Sequence, residues 1–260
     1  MGTRFASSLS LKTDLTGVGD PTQQKCNLAL ANYATQNPFD GGELKPSPSL
    51  SVHSDSPGQN GASSGRPAIP ESMDGMEHLR ADWKQDVVLI RHAEPIVEPD
   101  RPPSEWQLSL RGKELAHDLV ACLSTCGLRR IVTSPEVKAR ATATAVTDVL
   151  GLNVITDDGL REVQRPWIEG NFDDAVTRYL QGNLIEGWEP IEQVVSRVVD
   201  SLVGHSGDGP IGVVTHGTAM ACFVGANVPT NRALFWSDLT MPDVWALSSE
   251  GITRLYHLET

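Results

Sequence analysis

Short apolar runs alternating with helical stretches, a closing pair of β-rich runs joined by a turn, and an apolar run that ends on Arg91-His92 predict an α/β protein. The architecture expected is a three-layer α/β/α sandwich with a mostly parallel central sheet, built from residues 83–260 and preceded by a disordered arm, residues 1–82. Val87-Val88-Leu89-Ile90 lacks polar alternation, the pattern of a strand buried on both faces. It delivers a cation and an imidazole to the carboxyl end of a buried strand, where open α/β sheets bind ligands.

The elements follow in order. After a polar, proline-rich connection over residues 94–105, Ser109 is placed to cap a helix. Leu110, Leu115, Leu119, Val120 and Leu123 mark its apolar stripe through to about Cys126, before Gly127. Residues 129–133 read as a second strand running into Thr133-Ser134-Pro135-Glu136-Val137-Lys138. There Ser134 is expected to cap the next helix, Pro135 to take its first position and Glu136 to complement its dipole. Lys138 shares a helical face with Ala141, Thr142 and Ala145, whereas Arg140, two residues on and rotated by ~200°, points the other way. A third strand is expected over 152–155, followed by a charged loop, Gly159 to Trp167, and helices over 175–180 and 191–202. The last of these has Val194, Val195, Val198, Val199 and Leu202 as its buried stripe. Residues 210–218 repeat the opening theme, an apolar strand ending in Thr215-His216-Gly217 before a helix from Ala219. Residues 244–247 and 252–257 then read as a hairpin at the sheet edge.

The 260 residues carry a formal net charge of −12. Residues 1–85 hold 7 Lys/Arg against 9 Asp/Glu and the remainder 14 against 24, so the folded part is the acidic part. That balance excludes a protein that binds nucleic acid through a basic stripe, and an anionic substrate must be drawn by a local cluster of cations. No apolar run reaches the ~18 residues of a membrane span. The four cysteines form no disulfide framework, which fits a reducing, cytoplasmic setting. Cys122 and Cys126 lack further His or Cys partners at metal-site spacing, so no metal site is expected.

The arm is rich in Ser, Gly, Pro, Asn and Gln and has too little apolar surface to offset its ordering entropy. Met1-Gly2 suggests N-myristoylation, but Ala6 stands where that signal needs Ser or Thr. Arg4, Lys12 and several serines suggest a transit peptide, which Asp14 and Asp20 interrupt, leaving organellar targeting open. Cys26 to Tyr33 is a candidate for a transient helical turn or for a motif that docks a partner of the arm. The sequence does not specify an oligomeric state.

Three segments in this order resemble the histidine phosphatase superfamily, also called phosphoglycerate mutase-like: Arg91-His92-Ala93-Glu94, the run Ser134-Pro135-Glu136-Val137-Lys138-Ala139-Arg140-Ala141-Thr142-Ala143, and Thr215-His216-Gly217. The resemblance spans residues 86–257. It implies that His92 is a nucleophile forming phosphohistidine, that Arg91, Lys138 and His216 clamp the phosphoryl group, and that Glu162 protonates the leaving alkoxide, with Glu94 the second candidate. The physics agrees, because phosphoryl transfer is mainly positioning plus electrostatics and needs preorganised donors around a dianion. One position departs from the family pattern. Lys138 stands where the family has arginine, and a lysine donates as a point charge where arginine grips two oxygens.

The activity implied is that of a metal-independent phosphomonoesterase acting on a small phosphorylated substrate, with no cofactor. The short connection between Ala93 and Trp106 favours hydrolysis over a mutase that retains a bisphosphate. Two alternatives stay open: phosphoglycerate mutase-type transfer, and a scaffold whose pocket only binds phosphate. Substrate choice is expected to depend on Trp106, Arg165 and Trp167.

Overall fold

A computed structural model describes residues 87–207, 209–248 and 251–258. The expectations for the arm, including its lipidation, targeting and docking segments, lie outside the described residues.

Six strands form one sheet: β1 (Val87–Arg91), β2 (Arg130–Thr133), β3 (Asn153–Thr156), β4 (Ile211–Thr215), β5 (Asp243–Ser248) and β6 (Gly251–Tyr256), in the order β3-β2-β4-β1-β5-β6. β3, β2, β4 and β1 run parallel, and β5 pairs antiparallel with both β1 and β6. The predicted hairpin therefore adds to an otherwise parallel sheet, with β6 on its edge. β1 and β4 are the central strands, buried along their apolar runs as the unbroken aliphatic sequence requires.

Helices cover both faces. α1 (Leu110–Leu123) and α2 (Val137–Leu150) pack on one face through Leu119, Leu123, Ala139, Ala143 and Val146. α3 (Phe172–Leu180), α4 (Ile191–Gly204) and α5 (Gly217–Asn227) pack on the other around Val176, Val194, Val198, Met220 and Phe223. A short α6 (Arg232–Ser237), capped by Asn231 and too brief to show periodicity in sequence, follows. The layers are those of the expected three-layer α/β/α sandwich.

The structure corrects several local expectations. Ser109 caps α1 as expected, its Oγ accepting the Gly112 amide at 2.8 Å. However, Leu110 is 80% exposed, and the buried stripe runs through Gly112, Ala116, Leu119 and Leu123. Gly112 sets that rotation. A Cβ there would sit 2.1 Å from the Glu94 carbonyl oxygen, so the first turn of α1 presses its glycine against the segment after β1. α2 begins at Val137 rather than at Pro135, because Glu136 is still extended (φ −67°, ψ 140°) and is itself the N-cap residue. Ser134 does accept the Glu136 amide, at 3.2 Å, but outside the helix. α5 starts at Gly217, ahead of the expected Ala219.

Candidate active site

Three neighbouring strands end at one place. At the carboxyl ends of β1, β4 and β2, Arg91 pairs with Thr215, the His92 amide donates to the Thr215 carbonyl at 3.0 Å, and the Ser134 amide donates to the Val214 carbonyl at 2.9 Å. Ladder hydrogen bonds thus hold Arg91-His92, Thr215-His216 and Ser134 side by side, although they come from distant parts of the chain. The imidazoles of His92 and His216 meet edge to face with centroids 5.0 Å apart.

His92 is buried, and its Nδ1 lies 2.8 Å from the Ala93 carbonyl oxygen. A carbonyl only accepts, so Nδ1 carries the hydrogen and Nε2 of the neutral ring carries the lone pair. Burial, reinforced by His216, Lys138 and Arg91, holds the His92 pKa well below the ordinary histidine range. The ring is therefore neutral, the form with a nucleophilic nitrogen. Burial likewise pushes the His216 pKa well down, helped by Lys138, Arg197 and Arg91. Its Nε2 lies 2.7 Å from Ser134 Oγ. That oxygen already accepts the Glu136 amide, so the serine proton is free to go to Nε2, placing the imidazole hydrogen on Nδ1. His216 Nδ1 is buried without a hydrogen-bond partner, as is Arg91 Nε.

The Arg91 guanidinium is anchored by its NH1 group, which donates to the Leu239 carbonyl at 2.8 Å. It packs on Gly217, where a Cβ would lie 3.0 Å from Arg91 Nε and Cζ. The glycine of Thr215-His216-Gly217 therefore makes room for the arginine of Arg91-His92. Burial lowers the Arg91 pKa, with Glu162 and Asp243 acting in the opposite sense, but arginine remains charged in proteins.

Lys138 is buried on the inner face of α2, and Arg140 is exposed, as the helical rotation predicted. Its ammonium donates to the Pro103 carbonyl at 2.7 Å and lies 5.9 Å from the centroid of Trp106. It also forms an ion pair with Glu136, a buried carboxylate whose other oxygen lies 3.5 Å from His216 Nε2 and accepts the Glu162 amide at 2.8 Å. From sequence alone Glu136 is expected only to complement the helix dipole, whereas its carboxylate turns into the cluster.

Glu162 holds three main-chain N–H groups. Its Oε1 accepts the Val163 and Ala219 amides at 2.9 Å each, and its Oε2 accepts the Thr218 amide at 3.3 Å. It thus caps the start of α5, where the helix dipole favours a carboxylate. Glu94 accepts the Ser109 hydroxyl at 3.1 Å and is tied to the start of α1. Arg197, which the sequence reading did not single out, stitches the loop carrying Glu162. It donates to the carbonyls of Gly159 and Arg161 at 2.7 Å and of Glu162 at 3.2 Å, and grips both oxygens of buried Glu189 at 2.8 and 3.0 Å.

Trp106 and Trp167, both named from sequence, meet edge to face at 6.2 Å. Arg165 stacks over Phe172 at 4.6 Å. Among the described residues no group of three or more His, Cys, Asp or Glu side chains is arranged to hold a metal ion. No described helix is long and apolar enough to cross a membrane.

Comparison with known proteins agrees with this geometry. The family model for the histidine phosphatase superfamily (branch 1) matches residues 87–243. A probable phosphoglycerate mutase, GpmB, of Enterobacter sp. is 27% identical over 156 residues, covering 53% of this chain and 72% of its own. Among solved structures, a mycobacterial glucosyl-3-phosphoglycerate phosphatase superposes with a TM-score of 0.54 at 20% identity, covering 68% of this chain and 100% of its own. The YhfR protein of Bacillus stearothermophilus superposes with a TM-score of 0.53 at 21% identity, covering 66% of this chain and 96% of its own. These structural likenesses establish the shared fold, and the family match spans most of the described chain. The protein belongs to the histidine phosphatase superfamily, branch 1.

Proposed function

We propose that the protein is a phosphomonoesterase that hydrolyses a small phosphorylated molecule through a phosphohistidine on His92. The observation that carries this reading is the environment of His92. Its Nδ1 is committed to the Ala93 carbonyl and its Nε2 is left as the lone-pair nitrogen, while the buried Arg91 Nε and His216 Nδ1 close to it have no partner. Buried donors without acceptors are costly unless a ligand satisfies them, and a phosphoryl dianion supplies oxygens for such donors.

In the first step His92 Nε2 attacks phosphorus and the bond to the leaving oxygen breaks. Arg91, Lys138 and His216 hold the non-bridging oxygens, and a carboxyl donates a proton to the leaving alkoxide. Glu162 is the acid that family resemblance assigns to that step. In the second step water attacks phosphorus and gives a proton to the carboxylate left by the first step, while the P–N bond breaks and its electron pair returns to His92. The residues named require no metal. Replacing His92 with Ala abolishes hydrolysis of an aryl phosphate on this reading, and retention of most activity contradicts it.

The name of the GpmB relative favours a second reading, phosphoglycerate mutase-type transfer. Isomerisation of a phosphoglycerate faster than its hydrolysis would support that reading over hydrolysis.

A further inference from the structure

We infer that Asp243 is a positioning residue for the phosphate clamp, because it holds the peptide unit whose carbonyl aims the Arg91 guanidinium. The inference rests on the reading of Arg91 as a ligand of the phosphoryl group. Arg91 and Asp243 are cross-strand neighbours, paired in register where β1 meets β5. The charge of Asp243 is felt at Arg91, yet no ion pair joins the two among the described residues.

The link between them runs through the turn that joins α6 to β5. Arg91 NH1 donates to the Leu239 carbonyl at 2.8 Å, with the Thr240 carbonyl beside it at 3.4 Å. Asp243 is wholly buried, and its Oδ2 accepts the Thr240 amide at 2.8 Å. The Leu239 carbonyl and the Thr240 amide belong to one planar peptide unit, in which C=O and N–H point in opposite directions. That plane is therefore gripped from both sides, by the carboxylate at its N–H and by the guanidinium at its C=O. Fixing the first orients the second.

Asp243 is itself held from the sheet edge. Arg254 of β6 reaches its Oδ1 through Nε at 3.1 Å and its Oδ2 through NH2 at 2.8 Å, while NH1 reaches Asp238 at the other end of the turn, also at 2.8 Å. The guanidinium of Arg254 stacks on Trp245, with Cζ 4.6 Å from the ring centroid. A chain of fixed groups thus runs from Arg254 through Asp243 and the 239–240 peptide to Arg91. With NH1 committed to the turn, the plane of the Arg91 guanidinium is set, and Nε, which has no partner among the described residues, is left for an incoming oxygen. A donor aimed in advance needs no reorganisation when phosphate arrives, and a planar fork grips two oxygens only in the right plane. Gly217 clears the space that the guanidinium occupies, and Asp243 gives it direction.

Binding of inorganic phosphate to the full-length protein tests this, by titration calorimetry on wild type, Asp243→Ala, Arg91→Met and the double variant. The sign of the change separates two routes. Removing a negative charge near an anion site strengthens phosphate binding if Asp243 acts only through its field, and weakens it if the carboxylate aims Arg91. Asp243→Ala is expected to weaken binding about tenfold, in line with the cost of misplacing a binding group by a fraction of an ångström. In the Arg91→Met background there is no guanidinium to aim, and the same change is expected to leave Kd within about twofold or to tighten it. The stoichiometry reports the folded fraction and Kd the site within it, so a loss of stability alone does not imitate this pattern. Arg254→Lys keeps the charge but not the fork, and serves if Asp243→Ala does not fold, with a weakening of about threefold that also vanishes in Arg91→Met. Unchanged or tighter phosphate binding in the Asp243 variant, or in Arg254→Lys where it stands in, overturns the role of Asp243 alone, as does an equal weakening in the Arg91→Met background. Phosphate binding by Arg91→Met as tight as that of the wild type, or none by the wild type, overturns the clamp reading and this inference together.

Discussion

Lys138 and Glu136 form a buried ion pair at the start of α2, inside the cluster that holds His92 and His216. The Lys138 ammonium therefore neutralises a buried carboxylate beside the two histidines. Removing one partner of such a pair leaves a buried charge unpaired and costs about 3–5 kcal/mol, whereas removing both costs much less. Lys138→Met alone is thus expected to lower the urea midpoint sharply, and Lys138→Met with Glu136→Gln to recover most of that loss without recovering activity. A double-mutant cycle by urea denaturation and phosphatase assay checks both halves.

Arg91 and Gly217 predict a separable effect on binding. An alanine at 217 places its Cβ 3.0 Å from Arg91 Nε and Cζ, so the guanidinium must shift while the sheet beneath it is untouched. Gly217→Ala is expected to weaken inorganic phosphate binding about tenfold, equivalent to about 1.4 kcal/mol, with little change in thermal midpoint. Titration calorimetry and a melting curve measure the two quantities.

Arg197 fixes the loop from Gly159 to Glu162 through three carbonyls and pairs with buried Glu189. Arg197→Met leaves the Glu189 carboxylate only the half-exposed Arg161 and the Gln164 amide as partners, with a destabilisation of about 3 kcal/mol. Arg197→Lys keeps the charge but lacks the fork that reaches all these oxygens. It is expected to fold with intermediate stability and to lower kcat by loosening the loop, which a stability and kinetics comparison of the two variants tests.

The two buried histidines make stability depend on pH. Their folded pKa values are pushed well below the ordinary range by burial, while the unfolded chain titrates near 6.5. Above that value both states are neutral and the pair contributes nothing. Below it the unfolded state binds protons that the folded state refuses, so stability falls with pH by up to about 1.4 kcal/mol per unit for each histidine. Urea midpoints between pH 7.5 and 5 should decline more steeply for the wild type than for His216→Gln.

Much of the site was legible because its parts lie at the ends of short apolar runs. Val87 to Ile90 and Ile211 to Val214 read as strands buried on both faces, and the residues after them, Arg91-His92 and Thr215-His216, had to emerge at the sheet's carboxyl edge. The rotation that separated Lys138 from Arg140 also holds, since both lie within α2. It could not place Glu136. That residue is still extended, so helical periodicity does not describe where its side chain goes, and it turns into the pocket. Arg197 escaped notice because its partners are mostly carbonyl oxygens, which no sequence pattern marks. Leu110 matched the apolar period of α1, yet contact of Gly112 with the Glu94 carbonyl turned it outward. The connection between the ordered domain and function was thus carried by motif order, while the electrostatics of the pocket depended on contacts across the fold.

The most direct test is to trap the covalent intermediate. Wild-type protein mixed with a ³²P-labelled phosphomonoester and quenched in alkali should carry label that is stable to base, labile to acid and mapped to a peptide containing His92, with none on His92→Ala. Hydrolysis by the wild type with no label on His92, or equal labelling of the alanine variant, would contradict the nucleophilic role of His92.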